Sequence, residues 1–573
     1  MDRRFRAVAA VVIALGIFVA IAAAAGRYFF EPDESKYGRV ACEMARTGDR
    51  LVPRLVDEFY TAKPAGYFWL MEAAGKIVGT ESALHGVLPA ALSMALLAWL
   101  LFALKKDREP LFGPLSAVLL ATCPIGFGAA AACRMDAPFA LLIVASILLG
   151  AGPPAFERPR LLLAGGLAGL AVVIKGPYGI LIPAATLAAF WVFERRRPPL
   201  LDLAAGVLAC VVVAGAWMVP ALIAGGEGYR RELFGQVADA AVSTRKEIHP
   251  YPWWYYLRYL PMIFAPWALI LPQSITEAWR RRDAWDRLLL AWFIVPFVIL
   301  SCVKGKLAIY LLPILPAGAI LVARTLLSTS PGASIWRFRA WLSIPAAALA
   351  AAGLAASAAA FQPGLMPADL MHFLSKWGIT PRDFAIPGAI LAALGIFLLV
   401  AAVRGRARFQ PIAWSLLPPL AIVASWFAIF PALQAVRAHD PLGMEFRRAV
   451  RPGQPLVAIS LKAPAIAHPF RAFPATWDES AFLHLQFLEI PIDPALYAYR
   501  PFRNGRLEEP LRVLARAPGG AWLVVTDPWL PEIRRIAPRV RIVGTGRHRS
   551  FGITLLFLPG PGEAATEAPR PGP

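Results

Sequence analysis

The chain has 573 residues, of which 58% are hydrophobic and only 17% charged, with a mean hydropathy of +0.57. A soluble domain carries about 25% charged residues, and the deficit here is concentrated in long uncharged stretches such as 161–174 and 203–224. Composition therefore excludes a water-soluble globular protein. The net charge of +21 does not point to nucleic acid, because the basic residues fall in short loops between apolar runs, where they set membrane orientation.

Met1–Gly26 opens with the basic MDRRFR and continues as an apolar run from Ala7 to Gly26. That run is longer than the 7–15-residue core of a signal peptide. It is expected as a span, with cleavage near the small residues Ala22–Gly26 as the alternative. Further spans are expected at 84–104, 111–132, 137–151, 161–174, 177–193, 201–224, 254–272, 286–303, 307–326, 338–360, 384–403 and 411–434. About 20 helical residues cross the hydrocarbon.

The segment Gly66–Gly79 is short and contains Glu72 and Lys76. If it crossed, the basic loops 105–110, 194–199, 277–287 and 404–409 would all fall opposite the basic N-terminus. Laid flat at the interface as an amphipathic helix, it leaves all four on the cytoplasmic side, as the positive-inside rule favours. About thirteen transmembrane helices follow, with the N-terminus in the cytoplasm and the C-terminus outside. The loops 31–63 and 225–253 then share the outer face with the span ends at Arg134–Asp136, Lys175–Pro177 and Val303–Lys306.

From residue 437 the composition changes. Short β-like runs at 455–460, 521–527, 540–544 and 553–558 alternate with other segments, a pattern of a small α/β domain. A Pro-rich tail follows. The fold class is an all-α polytopic membrane protein with a small C-terminal extracytoplasmic α/β domain. Residues 1–436 form the transmembrane domain, 27–83 its first extracytoplasmic loop with interfacial helices, and 437–573 the outer domain.

Asp33 and Glu34 follow the first span closely. A carboxylate there can act as a general base on an attacking hydroxyl, or it can supply acids to the first turn of a helix beginning at PDES. Lys63, Lys175, Lys304 and Lys306 bring ammonium groups to the same face. They suit phosphate oxygens or, individually, anchor helix ends by snorkelling. Trp253, Trp254, Tyr255 and Tyr256 form an interfacial aromatic belt or line a groove for a prenyl chain. His249 is an acid/base or metal-ligand candidate or a structural histidine. Cys42, Cys123, Cys133, Cys210 and Cys302 show neither disulfide nor metal spacing.

These residues resemble the bacterial polyprenyl-phosphate-dependent glycosyltransferases of the GT-C fold, close to the lipid A aminoarabinose transferases and protein mannosyltransferase-like enzymes. The resemblance is carried by Pro32–Tyr37, Gly48–Leu55, Tyr60–Pro64 with Gly66-Tyr67, Arg134–Asp136, Lys175–Pro177, His249 with Trp254–Tyr256, and Lys304–Leu307 with Tyr310. It covers roughly 5–320. It implies Asp33 as the catalytic acidic residue and Lys63 on the carrier phosphate, with Lys36 where the family has arginine. The substrate- and carrier-phosphate-binding set is Lys36, Tyr60, Lys63, Asp136, Lys175, His249, Arg258, Lys304 and Lys306.

In the aminoarabinose transferases a glutamate and a histidine, at the positions of Ala62 and His249, are associated with a metal. Ala62 leaves too few ligands for Zn²⁺, which takes about four. A divalent metal is therefore disfavoured as cofactor without being required absent, His249 remains a weak metal-ligand candidate, and the sugar is expected to be other than aminoarabinose.

The implied activity is transfer of a single sugar from a polyprenyl (undecaprenyl) phosphate donor to lipid A or another envelope glycan or protein acceptor, at the periplasmic face of the bacterial inner membrane. Its partners are those lipids and acceptors, not nucleic acid. The rival is a lipid or sugar transporter or flippase, which would place ionisable residues at span middles or paired broken helices at the midplane. Here notable charge sits at span ends.

Overall fold

The computed structural model describes residues 2–25, 32–55, 58–79, 83–104, 111–152, 158–242, 251–303, 305–328, 335–366, 371, 380–403, 456–459, 511–512, 515–516, 519–526, 530–548 and 551–560. By their internal contacts they divide into two units. One comprises Met1–Arg27, Val40–Ala358 and Ala385–Trp426; the other comprises Tyr28–Arg39, Ala359–Phe384 and Phe427–Pro573.

The first unit is helical. In chain order α1 is Asp2–Ala25, α2 Pro32–Thr47, α3 Gly66–Val78, α4 Leu84–Phe102, α5 Phe112–Thr122, α6 Pro124–Ala131, α7 Asp136–Ala151, α8 Arg158–Lys175 and α9 Tyr178–Phe193. They continue as α10 Leu200–Ala224, α11 Gly226–Val242, α12 Tyr255–Ile263, α13 Leu271–Arg281, α14 Ala284–Cys302, α15 Leu315–Ser328, α16 Ile335–Phe361 and α17 Ala385–Val403. A two-stranded ribbon, β1 Arg54–Leu55 with β2 Glu58–Phe59, lies between α2 and α3. The first eight residues of α2 fall in the other unit.

Three expected spans are built differently. The stretch 111–132 is two helices, α5 and α6, bent by 68°. Cys123 is extended there (φ −74°, ψ 151°) because it precedes Pro124, whose ring disfavours the α region one residue back. No ionisable residue flanks this break. The stretch 254–272 is α12, a 3₁₀ turn at Trp267–Leu269 and the start of α13; Pro266 and Pro272 lack the N–H that a continuous helix needs. The stretch 307–326 begins with a 3₁₀ turn, Ala308–Leu311, before α15.

Two expected loops are also more ordered. α11 occupies much of 225–253, set off from α10 at Gly226 (φ +64°). α13 runs to Arg281, and α14 starts after Asp283, whose carboxylate caps it by accepting from the Asp286 N–H at 2.8 Å. The last expected span, 411–434, lies outside the described residues. Among those residues α4, α10 and α14 are long and apolar enough to cross a membrane, with α5 and α6 a fourth if the bent pair is one span.

Side-chain contacts sort the helix ends into two faces. On one, Arg6 lies 5.4 Å from the centroid of the Phe102 ring, Arg158 pairs with Asp202 at 2.7 Å, and Arg287 pairs with Glu194. On the other, Lys175 pairs with Asp136, and the Trp217 indole donates to the Leu51 carbonyl at 3.0 Å. α3 starts on this second face, where Tyr67 Oη donates to the carbonyl of Gly86 at the start of α4, 2.8 Å away. Two helices that start side by side and follow one another cannot both be antiparallel crossings. α3 therefore lies along the face, with Leu70 and Ile77 exposed.

Small residues let the helices close up, as is usual where lipid supplies no hydrophobic drive between them. A Cβ on Gly165 of α8 would collide with the Gly206 carbonyl of α10. In the second unit a four-stranded sheet has the order β3 Leu456–Ile459, β4 Ala521–Thr526, β6 Phe551–Leu558, β5 Arg541–His548. β3 and β4 are parallel, the other pairs antiparallel, with a bulge between Ile542 and Gly544. All four β-like runs are strands. α18, Leu530–Ile536, packs Ile533 on Leu523, Val525 and Leu556.

The face with Arg6 also holds a buried ion network. The Arg324 guanidinium donates to Asp283 Oδ1 at 2.9 Å and Oδ2 at 2.5 Å, and to Asp286 Oδ1 at 2.6 Å. Arg324 is 3% exposed and Asp286 fully buried. Arg281 also donates to both Asp286 oxygens, at 3.1–3.2 Å, so that carboxylate keeps a partner when Arg324 is removed, and the loss stays below the ~3–5 kcal/mol of a buried charge left unpaired. Arg324→Met should lower stability by about 1–3 kcal/mol, the scale of lost hydrogen bonds to charged groups, in a detergent-solubilised unfolding titration. Arg231→Gln, which breaks a largely exposed pair with Glu227, should change it by less than about 1 kcal/mol.

Candidate functional site

The site is built from the ends of helices. α8 stops at Lys175 because Gly176 turns left-handed (φ +95°), its N–H bonding Val172 O at 2.8 Å, and Pro177 follows. A cation there complements the negative end of the helix dipole. Asp136 opens α7, where a carboxylate complements the positive end. The Lys175 ammonium donates to Asp136 Oδ1, with both side chains largely buried. It also lies 4.4 Å from the ring centroid of Tyr310 and 5.3 Å from that of Phe139, so one carboxylate and two π faces compensate it.

Tyr310 sits on the 3₁₀ turn Ala308–Leu311, and a second lysine holds that turn. The Lys306 ammonium donates to the carbonyls of Tyr251, at 3.0 Å, and Val303. It is 3% exposed, and burial pulls its pKa below the ordinary lysine value. The Tyr251 ring stacks on Tyr255 with centroids 4.4 Å apart, and Tyr255 meets Tyr259 at 4.5 Å. Lys306 thus clasps the Tyr310 turn to the tyrosine-lined start of α12.

The segment before α3 is pinned at several points. Asp49 Oδ1 accepts from the N–H groups of Leu51 and Val52, both at 3.1 Å, an Asx turn after the left-handed Gly48. The Trp69 indole donates to Arg50 O at 2.7 Å. The Arg50 guanidinium reaches both oxygens of Glu72, at 2.7–3.1 Å, and Lys76 approaches Glu72 at 3.2 Å. The bond from Arg50 holds the Glu72 carboxyl below the usual carboxylate range. Tyr60 packs edge-on against Phe68 at 6.0 Å.

Gly66 lets α3 meet α8, since a Cβ there would lie 2.7 Å from Val173 O. Lys63 is three residues before Gly66, at most about 11 Å of extended chain, and Val173 is two residues before Lys175. Lys63, Tyr60, Asp136, Lys175 and Tyr310 therefore gather in one corner of the first unit.

Asp33 and Lys36 stand in the first turns of α2, with both acids of the PDES start at its N-terminus. They belong to the part of α2 in the second unit. Arg258 is exposed and lies 5.9 Å from the Tyr259 centroid. His249 and Lys304 lie outside the described residues. Among the described residues no three His, Cys, Asp or Glu side chains are grouped to hold a metal ion.

The Arg50–Glu72 pair and the Lys306 clasp are absent from the sequence-based expectations. Glu72 was conspicuous in an apolar segment, but its partner lies 22 residues away.

The geometry can be set beside known proteins. The resemblance to GT-C polyprenyl-phosphate glycosyltransferases holds in sequence and in fold. Residues 62–222 match the family model described as dolichyl-phosphate-mannose-protein mannosyltransferase. The chain is similar in fold to ArnT from Cupriavidus metallidurans, solved bound to undecaprenyl phosphate: TM-score 0.70 at 20% identity, covering 95% of this chain and 97% of that one.

In sequence the chain is similar to the undecaprenyl phosphate-alpha-4-amino-4-deoxy-L-arabinose arabinosyl transferase of Enterobacter sp. (strain 638), 28% identical over 310 residues, 52% of this chain and 55% of the relative. The enzyme of the same description from Pectobacterium carotovorum subsp. carotovorum (strain PC1) is 29% identical over 350 residues, 57% and 62% of the two chains. The matches thus span somewhat over half the length of these curated relatives.

Because the folded-state pKa of Glu72 is depressed, its pairing stabilises fully above the ordinary glutamate range and is lost as pH falls through the depressed value. The melting temperature of the wild type should exceed that of Glu72→Gln at pH 7. The gap should close progressively as the pH is lowered below about 4.3.

Proposed function

We propose that this chain is an integral inner-membrane glycosyltransferase that moves a single sugar from a polyprenyl (undecaprenyl) phosphate carrier to lipid A or another envelope acceptor. The observation that carries this reading is the likeness in fold to ArnT, solved with undecaprenyl phosphate. The lysine-bearing corner of Lys63 and Lys175 supports it, because carrier departure places charge on phosphate oxygens that nearby cations stabilise.

In this proposal about thirteen helices cross the bilayer. The arginine-rich loops mark the cytoplasmic face, and the opposite face, with Lys175, is periplasmic. Residues 1–436 form the transmembrane domain and 437–573 the periplasmic α/β domain. The acceptor oxygen attacks the anomeric carbon, and the bond from that carbon to the carrier phosphate oxygen breaks. The carrier phosphate leaves with the electron pair. Asp33 takes the proton of a hydroxyl acceptor; a phosphate acceptor needs no base, and Asp33 then orients it.

The carrier phosphate is held by Lys63, with Lys36, Lys175, Lys304, Tyr60, Arg258 and His249 around it. Asp136 orients the Lys175 ammonium. Lys306, with two donors on backbone carbonyls, serves by holding the Tyr310 turn.

Asp33→Asn should reduce transfer from a labelled polyprenyl-phosphate sugar by about 10²-fold or more, with membrane insertion unchanged. Near-normal turnover would remove Asp33 from the chemistry. Lys63→Ala should raise the carrier concentration needed for half-maximal rate. Lys306→Met should lower turnover while leaving that concentration unchanged. If Lys306→Met shifts carrier dependence as Lys63→Ala does, Lys306 is a phosphate ligand rather than a clasp.

A further inference from the structure

The positive charge of the second unit is not explained by membrane topology in the way the basic loops are. Between residues 511 and 549 the sequence has eight arginines, no lysine and two acids, Asp527 and Glu532. Two segments of this stretch cover the same face of the sheet. Leu511 and Ala515 of one, and Ile533 and Ala537 of α18 and its end, pack onto Leu523, Val525, Leu556 and Leu558. With their apolar sides turned inward, both segments expose arginine: Arg512 and Arg516 on the first, Arg534, Arg535 and Arg539 on the second. The acid described among them, Glu532, approaches Arg535 only at 4.0 Å, with Arg535 72% exposed.

Five exposed guanidinium groups on one layer of a small domain repel one another, and an anionic partner offsets that repulsion. Arginine presents a planar fork that matches phosphate oxygens in pairs, which lysine does not. The five come from two separate segments and are all solvent-exposed, so they form a broad face rather than an enclosure for one small ligand. A surface of many phosphates fits such a face, and basic residues near an anionic membrane surface each add to the attraction. We propose that this arginine face binds the phosphate headgroups of anionic bilayer lipids. The inference does not depend on the transfer chemistry proposed above.

The test uses the full-length protein purified in a neutral detergent. Binding of phosphatidylglycerol and phosphatidylcholine is titrated by native mass spectrometry. Wild type is compared with R512Q/R516Q/R534Q/R535Q/R539Q and with R195Q/R196Q/R197Q, which removes exposed arginines from a loop of the other unit. Phosphatidylglycerol affinity should fall by about tenfold or more in the five-arginine variant and stay unchanged in the loop variant, with phosphatidylcholine binding unaffected in both. Equal phosphatidylglycerol affinity in wild type and the five-arginine variant overturns the proposal. Displacement of phosphatidylglycerol from wild type by low-millimolar inorganic phosphate also overturns it, identifying a small-anion site. If the five-arginine variant does not fold, R534Q/R535Q/R539Q should show a smaller loss in the same assay, and no loss there overturns the proposal.

Discussion

Hydrocarbon cannot solvate an ionised side chain or an unpaired peptide group, and most of the structure follows from where charge is then allowed to sit. Lys175 and Asp136 meet this constraint jointly. Each occupies the helix end whose dipole favours its sign, and each neutralises the other. The rings of Tyr310 and Phe139 complete the shell around the cation. An ammonium held this way is fixed in place and largely dry. To a nearby anion the pair presents an oriented dipole with its ammonium end fixed, and water screens that dipole little.

The same constraint shapes the opposite face. Arg324 bonds Asp283 and Asp286 there, with Arg281 also on Asp286, and Arg287 ties the start of α14 to the end of α9 through Glu194. Between the two faces the helices are held by close approach rather than by charge. The Gly165–Gly206 contact of α8 with α10 leaves no room for a side chain, which fixes the spacing of the helices that carry Lys175 and Trp217. The charged ends are rigid because the uncharged middles are closely packed.

The corner around Lys175 is assembled from segments far apart in sequence. α3 reaches it through Gly66 against Val173, the Tyr310 turn through the Lys306 clasp, and the loop after α2 through the Trp69 and Trp217 indoles. Each tie is a side-chain donor on a backbone carbonyl or a close backbone contact. A loop at a membrane surface cannot rely on burying apolar area alone, and hydrogen bonds of this kind give it a defined course.

Much of the helical framework was legible because long uncharged runs have one outcome in a bilayer, and Lys and Arg in the short loops order them. The four short strands were legible for a related reason, since compact apolar runs between turn residues leave few other choices. Charge counting gave Gly66–Gly79 a flat course at the interface, and in the first unit Tyr67 near its start bonds the Gly86 carbonyl. The breaks at Cys123-Pro124 and at Pro266 were visible as prolines but not as bends, because prolines elsewhere sit inside continuous helices such as α10. Asp136 and Lys175 could be named from the sequence, yet not as partners: their pairing depends on α7 and α8 packing side by side. Lys306 could be named as a cation, but only the folded chain turns its ammonium onto the carbonyls of Tyr251 and Val303. Composition determines which segments are apolar enough to leave water. Which ends then meet is decided by tertiary packing, because it depends on helix spacing set by contacts that no local stretch of sequence contains.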